Sequence, residues 1–197
     1  MPLQRSFYFV RHGETDWNKE GRLQGHTNIP LNETGRAQAR AAQQIIARLP
    51  IDQVVTSTLD RAIETAEILC QTSGKEIMRD ARLCERSFGS FEGMDVSIID
   101  KHKHEAIARG ETPEENGYPC PPEAEPYADF RQRVLGIIDF YQASFPEQSI
   151  LFVAHGGLYR VLRRCLFATV DASPNVCPYH FEKRGKEWRL HDLRALF

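Results

Sequence analysis

The chain has 197 residues, 41% of them hydrophobic, and a formal net charge of -2. This length allows one well-buried core and is short for two, so we expect a single domain over residues 1–197. Basic residues are scattered, which argues against a nucleic-acid partner, and no apolar stretch near the N-terminus suits a signal or membrane span, so we expect a cytoplasmic protein. Five cysteines without a CxxC pair are typical of reduced thiols.

The first half of the chain alternates strand and helix signals. In order, the patterns predict a strand at 6–10, a polar loop at 11–31, a helix at 32–49, a strand at 53–56, a helix ending before 73–74, and a short strand at 76–79. Asn32 can cap the first helix, and Ser57 or Thr58 can cap the second.

The second half begins with a stretch rich in Gly, Pro and acidic residues, which is longer than an ordinary connection. We therefore expect a lid or insert at about 94–126, interrupted by a helix at about 95–108. The remaining signals predict a helix at 127–145, a buried strand at 150–154, a helix from 156 to 166, and a hairpin with strands at 179–182 and 187–190. This order of elements predicts an α/β fold with a largely parallel sheet.

Two of the predicted strands end in the same way. The first runs into Arg11-His12-Gly13, and the later one runs into His155-Gly156. Because the carboxyl ends of parallel strands meet at one edge of a sheet, two imidazoles can meet in a single crevice. Arg11 beside the first histidine favours an anionic substrate, and a phosphate ester is the leading hypothesis.

Four separated segments carry a family resemblance. They are Arg11-His12-Gly13-Glu14-Thr15 with Asn18, Ser57-x-Leu59-x-Arg61-Ala62, Glu85 with Phe88-Gly89 and Phe91-Glu92-Gly93, and His155-Gly156-Gly157. In this order they closely resemble the motifs of the histidine phosphatase superfamily, also called the phosphoglycerate mutase-like family. The resemblance covers residues 9 to about 165, and it implies a three-layer αβα sandwich around a mostly parallel sheet.

The resemblance also implies a role for each matching residue. His12 would be the nucleophile that forms a phosphohistidine, Glu85 the general acid, and His155 a stabiliser of the phosphoryl group, which Arg11 and Arg61 would neutralise. This chemistry has physical reasons: cations must shield the phosphate oxygens, and neighbouring arginines disfavour a protonated, non-nucleophilic His12. The predicted substrate-binding residues are Thr15, Asn18, Gln24, Gly25 and Gly156.

We therefore expect a metal-independent phosphomonoester hydrolase that acts on small phosphorylated metabolites and needs no cofactor; a homodimer is compatible with this expectation. The first alternative is a cofactor-dependent phosphoglycerate mutase. Mutases of the family carry a longer insert and a C-terminal tail, whereas this chain ends at Phe197 and its segment 88–93 resembles the phosphatase branch. The second alternative is a non-catalytic phospho-ligand binding module, against which the complete set of catalytic residue types argues.

One segment departs from the family pattern. Ala124-Glu125-Pro126 stands where many phosphatase relatives have Gly-Glu-Ser, which leaves the choice of substrate open. The loop at 101–126 is acidic, through Glu111, Glu114 and Glu115, and is expected to wall the pocket. Its acidity favours a modestly charged leaving group.

Overall fold

The structure is a computed structural model, and it describes residues 3–108, 120–169 and 171–196. The strands of this described part are β1 (Phe7–Arg11), β2 (Gln53–Thr56), β3 (Ile77–Arg79), β4 (Ile150–Ala154), β5 (Pro178–Arg184) and β6 (Glu187–Asp192). Its α-helices are α1 (Asp16–Lys19), α2 (Glu33–Arg48), α3 (Asp60–Cys70), α4 (Ser97–Ala108), α5 (Tyr127–Ser144) and α6 (Gly156–Phe167). Short 3₁₀ helices lie at Ala81–Leu83, Gly89–Phe91 and Leu193–Leu196.

The strands form one sheet in the order β3-β2-β4-β1-β5-β6. The first four of these strands are parallel, and β5 and β6 form an antiparallel hairpin beside them. Within the sheet, Arg11 at the end of β1 pairs with Ala154 at the end of β4. The two residues that follow, His12 and His155, therefore leave the sheet side by side. This register confirms the predicted mostly parallel sheet.

Helices cover both faces of the sheet because side chains alternate along each strand. Phe9 and Phe152 point into a core that also holds the apolar side chains of α5 and α6. Val10 and Val153, one residue further along each strand, point into a second core with α2 and α3. The three-layer αβα sandwich is thus confirmed.

Two local predictions were wrong. The N-cap of α3 is Leu59, without a side-chain cap, and not Ser57 or Thr58. The Ser57 hydroxyl instead lies against His155, and the Thr58 hydroxyl lies against a cysteine thiol, so both are used outside the helix. The loop predicted at 11–31 contains the short helix α1, which Thr15 caps.

The predicted acidic wall of Glu111, Glu114 and Glu115 and the middle third of the predicted lid at 94–126 fall on residues 109–119, which lie outside the described residues. The lid itself therefore stays a prediction. Within the ranges given above, no helix is both long enough and apolar enough to cross a membrane.

Candidate functional site

His12 is almost completely buried at the carboxyl end of β1, with 3% of its surface exposed. Its Nδ1 lies 2.7 Å from the carbonyl oxygen of Gly13. Because a carbonyl can only accept, Nδ1 carries the hydrogen and Nε2 keeps its lone pair. Burial, followed by the charges of Arg61 and Arg11, holds the pKa of His12 well below its ordinary value. The ring is therefore neutral at pH 7 and can act as a nucleophile through Nε2.

His155 is fully buried at the end of β4, and its ring centroid lies 5.1 Å from that of His12. The predicted meeting of the two imidazoles is confirmed. Burial and the nearby Arg61 charge lower the pKa of His155 strongly, so this ring is also neutral. Its Nε2 lies 2.8 Å from the Ser57 hydroxyl, and its Nδ1 is buried without a hydrogen-bond partner in the described chain. If Nε2 accepts the hydroxyl proton, Nδ1 carries a hydrogen that can be donated to an oxyanion.

Backbone carbonyls hold both arginines of the site. Arg11 donates from Nη1 to Ser173 O at 2.7 Å, whereas Arg61 donates from Nη1 to Thr27 O at 2.9 Å and from Nη2 to Gly25 O at 2.8 Å. Burial lowers the pKa of each to about 10, which still leaves both protonated at neutral pH. The Nε atoms of both are buried and have no partner among the described residues. Each of these two positively charged side chains is thus held in place and retains a buried N–H group that can donate to an anion.

Glu85 joins this group through the first turn of α6. Its Oε2 accepts from the Gly157 N–H at 2.8 Å, and its Oε1 accepts from the Arg86 N–H at 2.9 Å. A Cβ at Gly157 would come within 2.9 Å of the Glu85 carboxyl carbon and closer still to Oε1, so glycine is required for this approach. The negative charge of Glu85 raises the pKa values of Arg11 and Arg61 and so partly offsets the lowering caused by their burial. Glu85 therefore lies close to both arginines.

Gly156, the preceding residue, has room for a side-chain carbon. A Cβ there would lie 3.4 Å from Nε of Arg11, which is an ordinary contact distance. Gly13 is more constrained, because a Cβ there would lie 2.6 Å from the carbonyl oxygen of Gly35 in α2. The first turns of α2 and α6 therefore pack closely against Gly13 and Arg11 at the carboxyl end of β1.

Thr15 and Asn18 are predicted substrate-binding residues, and the structure shows how they are held. They form the capping box of α1: the Asn18 N–H donates to Thr15 Oγ1, and the Thr15 N–H donates to Asn18 Oδ1. Asn18 Oδ1 also accepts from Nδ2 of Asn175 at 3.4 Å. The Thr15 hydroxyl is a third donor to this oxygen, so Asn18 keeps the NH₂ group as the donor that can reach a ligand.

Asn175 is a site residue that the sequence patterns did not reveal. Besides its bond to Asn18, its Nδ2 donates to the carbonyl oxygen of His12 at 2.8 Å. The next residue, Val176, has φ of +47°, which is unusual for a β-branched residue, and its N–H donates to Arg11 O at 3.0 Å. A strained turn thus fixes Asn175 against the backbone of His12, and no periodicity or turn signal points to it.

Glu92 clamps the loop that contains the predicted residues Gln24 and Gly25. Its carboxylate accepts from the backbone N–H groups of His26 at 2.9 Å and Thr27 at 2.8 Å. Burial alone would raise the pKa of Glu92, but the hydrogen bond from the Thr27 hydroxyl and those from the backbone N–H groups of His26, Phe88 and Thr27 outweigh it and hold the pKa below its ordinary value. Gly25 has φ of +52° and its carbonyl contacts Arg61, as described above. Gln24 is buried, and its Oε1 has no partner within the described ranges.

A family model described as the histidine phosphatase superfamily, branch 1, matches residues 7–194. The chain belongs to this superfamily. This histidine phosphatase superfamily member is 32% identical over 191 residues to "Uncharacterized phosphatase PhoE" of Bacillus subtilis (strain 168), covering 93% of the chain and 91% of that protein. It is 34% identical over 158 residues to "Phosphoglycerate mutase-like protein 4" of Arabidopsis thaliana, covering 78% of the chain and 67% of that protein.

Among solved structures, this superfamily member is similar to the mycobacterial glucosyl-3-phosphoglycerate phosphatase in complex with VO3. The TM-score is 0.80 at 28% sequence identity, and the match covers 95% of this chain and 97% of that one. The relatives thus include both phosphatases and phosphoglycerate mutase-like proteins. Together they support a phosphatase or mutase enzyme for this family member.

Proposed function

We propose that the protein is a metal-independent phosphomonoester hydrolase that acts through a phosphohistidine at His12 on small phosphorylated metabolites. One observation carries this proposal. Nε of Arg11, Nε of Arg61 and Nδ1 of His155 are buried without partners in the described chain, next to a neutral His12. Buried donors are normally paired, so the two arginine Nε–H groups, together with Nδ1 of His155 in the tautomer that carries its hydrogen there, favour an oxyanion as their natural partner. The phosphatases among the relatives support the same conclusion.

In the proposed first step, the lone pair on Nε2 of His12 attacks phosphorus. The N–P bond forms while the P–O ester bond breaks, and a protonated Glu85 donates its proton to the departing alkoxide. Arg11, Arg61 and His155 stabilise the charge on the phosphoryl oxygens. In the second step the Glu85 carboxylate takes a proton from water, the water oxygen attacks phosphorus, and the N–P bond breaks to release phosphate and restore His12.

Turnover of p-nitrophenyl phosphate in the presence of EDTA tests this proposal. We expect phosphate release that survives the chelator and falls by at least about 10³-fold in His12→Ala, because the nucleophile is lost. His191→Ala removes an exposed histidine on β6 and serves as the matched control with near-wild-type rates. Quenching of the wild-type enzyme and a ³²P-labelled ester in alkaline detergent should trap label in the peptide that contains residue 12, because the N–P bond of a phosphohistidine is stable in base and hydrolyses in acid. Undiminished turnover in His12→Ala would contradict the proposal.

A phosphoglycerate mutase is the second candidate, favoured by the relative of that name in Arabidopsis thaliana. A mutase would return the phosphoryl group from His12 to a second hydroxyl instead of to water. Incubation with 3-phosphoglycerate and catalytic 2,3-bisphosphoglycerate separates the two activities. Free phosphate as the main product supports the hydrolase, and 2-phosphoglycerate as the main product supports the mutase. A protein that binds phosphate but converts neither p-nitrophenyl phosphate nor 3-phosphoglycerate would be a binding module.

A further inference from the structure

Ser57 connects His155 to the segment that carries Glu85. It follows β2, the strand that pairs with β4. Its hydroxyl oxygen lies 2.8 Å from Nε2 of His155 and 3.4 Å from Sγ of Cys84, the residue before Glu85. Ser57 and His155 are both fully buried, so the direction in which the hydroxyl donates affects where the ring carries its own hydrogen.

The Ser57 hydroxyl has one hydrogen and two neighbouring acceptors, so it can donate to only one of them at a time. Its oxygen accepts from the Leu59 N–H at 3.2 Å. A ring nitrogen is the better acceptor of the two, since thiol sulfur accepts only weakly. The Cys84 thiol also has a second partner, the Thr58 hydroxyl at 3.2 Å. The geometry therefore favours donation from Ser57 to Nε2 of His155.

The direction of this hydrogen bond decides the state of the other ring nitrogen of His155. When Ser57 donates to Nε2, Nδ1 carries the hydrogen of the neutral ring. When Nε2 donates to Ser57, the hydroxyl hydrogen turns to Cys84 and Nδ1 keeps a lone pair. Nδ1 is buried and has no partner in the described chain. An oxyanion in the site accepts from an Nδ1–H group and is repelled by a lone pair, so only the first arrangement suits it.

We propose that Ser57 is a positioning residue whose hydroxyl holds His155 in the tautomer with the hydrogen on Nδ1. The ring is then a donor to the phosphoryl group before substrate binds. A donor that is oriented in advance needs no reorganisation when charge develops on the phosphoryl oxygens. The use of this donor in catalysis rests on the proposed function, whereas the tautomer itself does not.

Nitrogen-15 NMR of histidine-labelled protein tests the tautomer, because a ring nitrogen that carries hydrogen and one that keeps a lone pair give separate signals. The signals of His155 are those missing from His155→Gln. We expect the hydrogen on Nδ1 in the parent protein, both without ligand and with inorganic phosphate. Ser57→Ala should show both tautomers without ligand. Cys84→Ala removes the competing acceptor and should keep the hydrogen on Nδ1.

The rate gives a second readout. Removal of one oxyanion donor typically lowers kcat by about 10²–10³-fold. Ser57→Ala keeps the donor in part of the molecules, so we expect kcat for p-nitrophenyl phosphate to fall by about tenfold, and Ser57→Thr, which keeps a hydroxyl, to restore part of it. Thr58→Val is the matched control, because it removes an exposed hydroxyl that contacts the same thiol, and it should change neither the tautomer nor kcat.

The hydrogen of His155 on Nε2 in the parent protein overturns the inference, and this measurement does not depend on the folding of any Ser57 variant. An unchanged Nδ1 tautomer in ligand-free Ser57→Ala overturns it as well. Neither result requires turnover. A failure of the proposed hydrolase activity would therefore show separately, as absent release of phosphate from p-nitrophenyl phosphate by the parent protein.

Discussion

Replacing Gly157 with alanine should separate the activity of this protein from its stability. The backbone of Gly157 lies in the first turn of α6, outside the left-handed region, so alanine fits the local conformation. The three atoms nearest to the new Cβ all belong to the end of the Glu85 side chain, which is flexible and can rotate away at the loss of its two backbone hydrogen bonds. The fold should therefore accept the substitution, while the carboxylate loses its position.

The size of each effect follows from this contact. Alanine is favoured over glycine in a helix interior by about 1 kcal/mol, so the free energy of unfolding should stay level or rise by up to that amount. Glu85 has to move by about 1 Å or more, and a displacement of that size can reduce a rate by about 10²-fold. Gly156→Ala is the neighbouring control, because its Cβ would meet Arg11 at an ordinary 3.4 Å.

The assay compares two leaving groups. An alkyl phosphate needs a proton for its alkoxide, whereas p-nitrophenolate leaves readily without one. We expect Gly157→Ala to lower kcat for the alkyl ester by about 10²-fold and kcat for p-nitrophenyl phosphate by less than tenfold. Equal losses for both esters would refute the reasoning, because Glu85 would then not be the proton donor. A lower melting temperature would show instead that Gly157 has a structural role.

Three further outcomes follow from the site. The folded protein holds His12 and His155 neutral, so below about pH 6.5 the unfolded chain binds more protons than the folded one. As the pH falls below that value, the free energy of unfolding should therefore decrease by about 1.4 kcal/mol per pH unit for each ring. Denaturant titrations at pH 5.5 and 7.5 measure this difference. Glu92→Gln should lower the unfolding free energy by about 1–3 kcal/mol and slow turnover, since Thr27 loses the carboxylate that positions it. Asn175→Ala should reduce kcat about tenfold at an unchanged melting temperature, and Asn175→Asp should not restore it, because only the amide can donate.

The sequence predicted the parallel strands well, because strands buried in the middle of a sheet are apolar along their whole length. The runs at 53–56 and 150–154 match β2 and β4 residue for residue, because apolar stretches between turn residues have few alternatives. The edge strand β6 extends beyond its predicted end at residue 190, because its exposed, charged side chains give a weak pattern. Helix α1 has only four residues, too short to show any periodicity.

The meeting of His12 and His155 was also predictable, because topology decides it: both residues end neighbouring parallel strands. The support around them was not. Asn175 reaches the backbone of His12 only because Val176 adopts a conformation that local propensity disfavours. Similarly, Ser57 has the sequence position of a helix cap, and only the tertiary structure shows that its hydroxyl serves His155.

The same features that define the site oppose the stability of the ligand-free protein. The lowered pKa values of Arg11 and Arg61 mean that folding disfavours their charges, and each arginine also leaves a buried Nε without a partner in the described chain. An unpaired buried donor costs about 1–3 kcal/mol, and a packed apolar side chain in its place would avoid that cost. A bound oxyanion removes both penalties at once, since it neutralises the charges and accepts from the free donors. The stability that folding loses at Arg11 and Arg61 is therefore recovered when an anion binds, and it contributes to the affinity for that anion.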